Sequence, residues 1–235
     1  MRRSKSWRSL YGQCWGINQI SLLRINNHQN ELTMPHLPPT LAYRQAFIQD
    51  QLNASARTMA RTYEDCTGDI IKAVDAIIRA YNHHRKILLC GNGGSAGDAQ
   101  HLATEMVIRM NPAIKRPGLP AIALTADSTL LTAGANDIGY DQVFARSVEA
   151  LGQEGDVLIG LSTSGKSESV NNAMRLARAM KMTTIALGGR GGGPMKELAD
   201  IAIIVPSDET AHIQEGHIAI GHIIFTMVEN EMYSG

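Results

Sequence analysis

Cysteine is scarce in this chain, and so are aromatic residues, long apolar runs and any surplus of charge. Cys14, Cys66 and Cys90 lie far apart with no C-x-x-C pair. That spacing excludes a disulfide scaffold and a thiolate zinc finger, and it fits a reducing, cytoplasmic compartment. No stretch approaches the ~18 consecutive apolar residues of a membrane span, so no membrane partner is expected. The 22 Lys and Arg balance the 22 Asp and Glu, leaving no global field to draw in nucleic acid. Aromatics are only 5% of the 235 residues, but the hydrophobic fraction is an ordinary 44%. One sizeable α/β core is within reach of such a chain.

Acid is missing from the first stretch, where Glu31 is the earliest and Arg2, Arg3, Lys5, Arg8 and Arg24 accumulate. A transit peptide has this Arg- and Ser-rich character. A disordered extension, or residues lying ahead of a true start at Met34, has it equally. Residues 1–40, closing on the proline-rich "PHLPPT", are set apart as a disordered or non-native extension, and residues 41–235 are read as a single domain.

Two kinds of pattern fill that domain. From 41 to 85 the spacing is helical: Ile70, Ile71, Val74, Ile77, Ile78 and Tyr81 recur at i, i+3, i+4 and i+7, giving one apolar face for either a core or a partner. Cys66-Thr67-Gly68-Asp69 reads as a break between two helices, with Thr67 or Asp69 as cap. From 86 to 235 short apolar runs alternate with helical stretches. Strands are expected at Lys86–Cys90, Pro120–Leu124, Asp156–Leu161, Thr183–Leu187 and Ile201–Val205. Helices are expected at Ser95–Met110, Gln142–Leu151, Glu168–Met180 and Thr210–Met232. Uniformly apolar strands belong to parallel sheets covered on both faces. The βαβ rhythm predicts a doubly wound, flavodoxin-like α/β fold: a five-stranded parallel sheet flanked by helices, with a helical segment ahead of it.

Ligands of such sheets sit at the carboxyl ends of the strands, so the chemistry is sought in the loops there. After the first strand comes "GNGGSAGD" (Gly91–Asp98), where Gly93 and Gly94 allow close approach of backbone amides and Ser95 is placed to cap a helix. His101 and Glu105 follow, four residues apart and therefore on one helical face. An imidazole and a carboxylate so placed share a divalent metal or act as base and partner, and they also occur together by chance on solvated helices. "GANDIG" (Gly134–Gly139) offers Asn136 and Asp137 to sugar hydroxyls, or forms an ordinary turn. "GLSTSGKS" (Gly160–Ser167) fits the nucleotide-binding pattern G-x-x-x-x-G-K-[ST] letter for letter. However, it sits at the third strand, and the one candidate acid after a later apolar strand, Asp208, lies beyond Pro206. Four hydroxyls around Gly165, at Ser162, Thr163, Ser164 and Ser167, suit a phosphate monoester better than a triphosphate. In "HIQEGHIAIGH" (His212–His222) the ligand-capable groups are many; His212 is read as exposed and His217 as a satisfied core residue.

Taken in order, "CGNGGSAGDAQHLATEM", "RPGLPAIALTADS", "GANDIGYDQVF", "EALGQEGDVLIGLSTSGKSESV" and "HIQEGHIAIGHII" resemble the sugar isomerase (SIS) domain family over residues 41 to 233. The likeness is strongest to the branch that interconverts ketose and aldose heptose phosphates. The resemblance implies substrate contacts at Asn92, Gly93, Gly94, Glu105, Asn136, Asp137, Ser162, Thr163, Ser164, Ser167 and Gln214. It implies one zinc ion per subunit held by His101, Glu105, Gln214 and His222, with Glu105 and His222 as the proton-transfer pair. It implies conversion of sedoheptulose 7-phosphate to D-glycero-D-manno-heptose 7-phosphate by a homotetramer, for lipopolysaccharide core synthesis. Lys166 and His212 stand where relatives commonly carry Asn and Arg. Gln214 and His222 are eight residues apart, about 12 Å along a straight helix, so a site between subunits is expected. Two other functions stay open: a non-catalytic SIS-domain regulator that binds the replication initiator DnaA, and a P-loop NTPase.

Overall fold

A strand that is apolar along its whole length cannot leave either face in water, and the chain answers this with two helical layers around one sheet. The computed structural model describes residues 40–234; the expectations for the N-terminal extension lie outside them, apart from Thr40. Contacts divide the chain between Ile48 and Gln49, and the sheet with its helical layers belongs to the part from Gln49 onward. Among the described residues five strands form the sheet: β1 (Ile87–Gly91), β2 (Ala121–Ala123), β3 (Val157–Ser162), β4 (Thr183–Gly188) and β5 (Ile201–Ile204). All pairings are parallel, in the order β2-β1-β3-β4-β5. That is the flavodoxin-like order expected from the sequence.

The helices are α1 (Leu41–Asn82), α2 (Gly94–Val107), α3 (Ser128–Asp137), α4 (Val143–Leu151), α5 (Glu168–Ala179), α6 (Gly193–Leu198) and α7 (Thr210–Tyr233). Alternation along the strands sorts the core. Ile87, Leu89, Ile159 and Leu161 face the layer of α1, α2 and α7, against Val74, Ile77, Leu102, Met106, Ile224 and Phe225. Leu88, Cys90, Leu158 and Ala186 face the other, against Phe144, Val148, Val170, Met174 and Met195. Among the described residues, no helix is long and apolar enough to cross a membrane.

Two expectations are corrected here, and one left open is decided. The break at Cys66–Asp69 does not occur, because α1 runs through it. Cys66 and Ile70 are both buried, the Thr67 hydroxyl donates back to the Tyr63 carbonyl, and Asp69 pairs with Lys72 at 2.8 Å. Packing of one face outweighs the ~1 kcal/mol that Gly68 costs in a helix. The apolar face at 70–81 is internal core for Ile70, Val74, Ile77 and Tyr81, while Ile71 is exposed. Finally, "GAND" is no loop: Gly134 to Asp137 are the last turn of α3, which Asp127 starts by accepting from the amides of Thr129 and Leu130.

The strand order reverses between β1 and β3, which lie side by side with Gly91 in register with Leu161. Their carboxyl ends open a crevice at this switch point, and both glycine-rich loops lead into it.

Candidate active site

The loop after β1 turns in two residues, with Gly93 at the N-cap of α2 (φ 57°). Ser95 is therefore not the cap; it is buried inside the first turn. Gly94 is glycine for a second reason. A Cβ there would fall on the side-chain amide of Gln214, which would have to move aside.

Further along α2, His101 and Glu105 share a face and meet His222 of α7. His101 Nε2 lies 3.1 Å from Glu105 Oε1, His222 Nε2 lies 3.6 Å from the same oxygen, and the two imidazole nitrogens are 3.0 Å apart. The rings meet edge to face, 5.3 Å between centroids. One donor atom from each residue lies within 4.8 Å of the others. Glu105 Oε2 is buried and, among the described residues, has no hydrogen-bond partner. Two imidazole nitrogens and a carboxylate oxygen converging on one point, with an orphaned second oxygen, fit a divalent cation or a shared proton.

Gln214 stands two turns before His222 on the uninterrupted helix α7, with its side-chain amide against Gly94 at the start of α2. Burial pushes the Asp98 carboxyl above the usual carboxylate range, against Gln214, His101 and His222, which pull it down. Asp98 shares a helical face with His101 and Glu105, following the i, i+3, i+7 stripe that the sequence displays.

The loop after β3 is built differently. Gly165 has φ +64° and a Cβ there would overlap the carbonyl of Gly192, so the loop rests on the glycine-rich loop after β4. Its amide bonds the Ser162 carbonyl at 3.1 Å, and its own carbonyl accepts from Met195 N at 3.1 Å. The Ser162 hydroxyl donates to Ser167 Oγ at 3.1 Å, and Ser164 Oγ accepts from Lys166 N at 3.2 Å. Thr163 and Ser164 are half-buried. Ser167, at the N-cap of α5, does not cap it with its own side chain. The first-turn amides of α5 therefore face the loop, an arrangement suited to an oxyanion. A P-loop needs an acid on a strand beside its own. The strands flanking β3 read "ILLCG" and "TTIALG", and Asp208 follows β5, which does not adjoin β3. The lysine-containing match is a coincidence of spelling.

A hydrogen-bonded clip joins the two loops. Asn92 Nδ2 donates to Ser169 Oγ at 3.0 Å, and its Oδ1 accepts from the Tyr140 hydroxyl at 2.6 Å. Tyr140 and Ser169 were not expected; the contacts link residues 48 and 77 positions apart, which no local pattern reveals. Asn136 and Asp137 are exposed on the last turn of α3, where the Asn136 amide donates to Asp137 at 2.7 Å. His217 is the buried core residue expected, 3.0 Å from the Gly188 carbonyl. His212 is not exposed as expected but buried, because the first turn of α7 packs inward at Ile213.

Residues 51–189 match the SIS domain family model. The chain is 52% identical over 183 residues to the phosphoheptose isomerase of Pelodictyon phaeoclathratiforme, covering 77% of this chain and 87% of that one. It is 51% identical over 189 residues to the phosphoheptose isomerase of Akkermansia muciniphila, covering 80% and 98%. Its structure resembles that of phosphoheptose isomerase GmhA from Neisseria gonorrhoeae, with TM-score 0.74, 38% identity and coverage of 80% and 99%. A phosphoheptose isomerase structure from Francisella tularensis gives TM-score 0.76 at 35% identity, covering 80% and 98%.

Proposed function

The chain belongs to the SIS domain family, among the phosphoheptose isomerases, and on that premise we propose that it converts sedoheptulose 7-phosphate to D-glycero-D-manno-heptose 7-phosphate. The observation that carries the reading is the meeting of His101, Glu105 and His222, with donor atoms within 4.8 Å of one another, in a chain that also carries a hydroxyl-lined loop at the end of β3. The Pelodictyon and Akkermansia relatives, at about half identity, are phosphoheptose isomerases.

The phosphate end is gripped by Ser162, Thr163, Ser164 and Ser167 with the first amides of α5, so binding energy far from the reacting carbons holds the sugar in register. Gly93 and Gly94 present backbone to the sugar; Asn92 acts by fixing the loops, and Asn136 and Asp137 accept hydroxyls. At the other end Glu105 takes the proton from C1, next to the C2 carbonyl, while His222 delivers one to O2, giving an ene-diol. Return of a proton to C2 and loss of one from O1 complete the aldose. Glu105 suits the task because one oxygen faces the imidazoles while the other is unengaged.

The donor set fits zinc, one per subunit, held by His101, Glu105 and His222, with Gln214 as fourth ligand. Bound there, zinc supplies polarisation of the substrate oxygens. Because Gln214 and His222 are two turns apart on one helix, the reading places the site between subunits of a homotetramer, with a neighbour contributing a ligand. The same reading puts the enzyme in the cytoplasm, at the first step toward the ADP-heptose of lipopolysaccharide core. Incubation with sedoheptulose 7-phosphate, with and without a chelator, tests it. An aldose phosphate formed only without chelator is expected; no aldose phosphate in either arm sinks it.

A further inference from the structure

We propose that the buried pair Arg116–Glu229 is a positioning device for Glu105, fixing its carboxylate against His222; the proposal rests on the isomerase reading above. Glu105 stands in the last turn of α2, which ends at Val107. The final carbonyls of a helix lack partners within it and its last turn frays. A proton-transfer group, by contrast, has to be held to about 0.5 Å. The Arg116 side chain supplies the missing restraint. Its Nη2 donates to the carbonyl of Glu105 itself at 2.9 Å, and Nη1 donates to the carbonyl of Met106 at 2.8 Å.

The other end of the guanidinium is tied to the partner helix. Arg116 Nε lies 2.7 Å from Glu229 Oε1, with both side chains wholly buried. Glu229 is on α7, seven residues after His222, so the two share a helical face. Its carboxylate also accepts from the amides of Met110 at 3.0 Å and Asn111 at 2.7 Å, which closes the chain leaving α2. Burial works to raise this carboxyl, but the Met110 amide, Arg116 and the Asn111 amide outweigh it and hold it below the ordinary range. The pair therefore stays ionised, and one fork of hydrogen bonds spans the two helices that bring Glu105 and His222 together. By itself a buried ion pair gains little over apolar side chains of similar volume, so what this pair adds lies in the backbone groups it holds, the carbonyls of Glu105 and Met106 and the amides of Met110 and Asn111.

That last point supplies the test. Arg116→Lys keeps the charge but loses the planar fork. The double variant Arg116→Met with Glu229→Leu removes both charges while filling the space. Each is assayed for urea midpoint, for kcat and KM on the heptose phosphate, and for Co²⁺ affinity by the visible absorption of the bound ion. We expect Arg116→Lys to lower kcat and Co²⁺ affinity each about 10- to 100-fold. KM should stay within about threefold, because the phosphate loop is untouched. The double variant leaves the Met110 and Asn111 amides and the Glu105 and Met106 carbonyls without these partners, so its urea midpoint should fall as well, and it should still show both losses. Recovery of midpoint, kcat and Co²⁺ affinity together overturns the proposal, as does unchanged kcat and affinity in a folded Arg116→Lys. If the unaltered chain does not isomerise the sugar, the isomerase reading alone fails, and Co²⁺ affinity decides the clamp.

Discussion

Two glycine-rich loops leave adjacent strands at the same switch point, yet they are held by opposite means. The loop after β1 is pinned by side chains, with Asn92 fastened at both ends of its amide and Gln214 laid over Gly94. Its candidate groups, His101 and Glu105, sit on the helix that follows, Glu105 in the last turn. The loop after β3 is pinned by backbone, glycine against glycine at residues 165 and 192, and its chemistry is the loop itself. The difference follows from the tasks. Moving a proton needs a charged group at one fixed distance, which two packed helices provide. Gripping a monoester needs many weak donors around a bowl, which amides and hydroxyls provide.

The comparison breaks most sharply at Glu105. Glu105→Gln keeps size and packing and removes the base, so kcat on the heptose phosphate should fall about 10³-fold or more with KM little changed. Near-normal turnover would eliminate Glu105 as the base and leave the first loop without a distinct task. At the other loop the backbone is the point of failure. Gly165→Ala forces a Cβ onto Gly192 at a positive φ. A stability loss of about 4 kcal/mol is expected in urea unfolding, from strain and overlap together. A loss below ~1 kcal/mol in that experiment would show that the loop relaxes away from Gly192.

Most of this was legible from residues, and the exceptions have a common cause. Unbroken apolar runs such as "KILLC" and "DVLIGL" identify parallel strands because only a sheet covered on both faces tolerates them. His101 and Glu105 are legible because four residues is one helical turn. The failures lie where distant packing overrules a local signal. Thr67-Gly68-Asp69 carries the composition of a cap, but Cys66 and Ile70 are buried on either side and the helix continues. Gly134 suggests a loop, but Asp127 had already started a helix through it. Arg116 and Glu229 are 113 residues apart, and no spacing rule connects them. Residues that share one helical face, such as His101 and Glu105, were legible; the long-range partners Tyr140, Ser169, Arg116 and Glu229 were not.

Acid sharpens the same comparison through two histidines of one helix. His222 is half-exposed in the charged cluster, whereas His217 is buried, with Nε2 at the Gly188 carbonyl where β4 ends beneath the second loop. Burial depresses its pKa from 6.5 to about 4, against the raising effect of the Gly188 bond. The unfolded chain therefore takes up this proton in the window between the two values, and the folded chain does not. Stability is complete above pH 6.5 and is lost as the pH falls toward 4, by about 3 kcal/mol from this group. His217→Gln keeps a donor for Gly188 and should flatten that part of the stability curve in urea titrations. An unchanged slope would assign the acid lability to carboxylates instead.

The smallest effect expected is at the clip between the loops. Tyr140→Phe removes one hydroxyl and leaves the ring on Phe144, whose centroid is 6.2 Å away. Asn92 loses the bond to its oxygen but keeps that to Ser169. Because Tyr140 is exposed, water takes the vacated place, so the loss is about 1 kcal/mol at most. If the clip serves orientation, it should appear as a few-fold fall in kcat/KM, with kcat and KM both moving because both loops are loosened. A change confined to KM would mean that Asn92 serves the phosphate loop alone. A change confined to kcat would mean that it serves the Glu105 side alone, and the two loops would then be less coupled than the hydrogen bonds between them suggest.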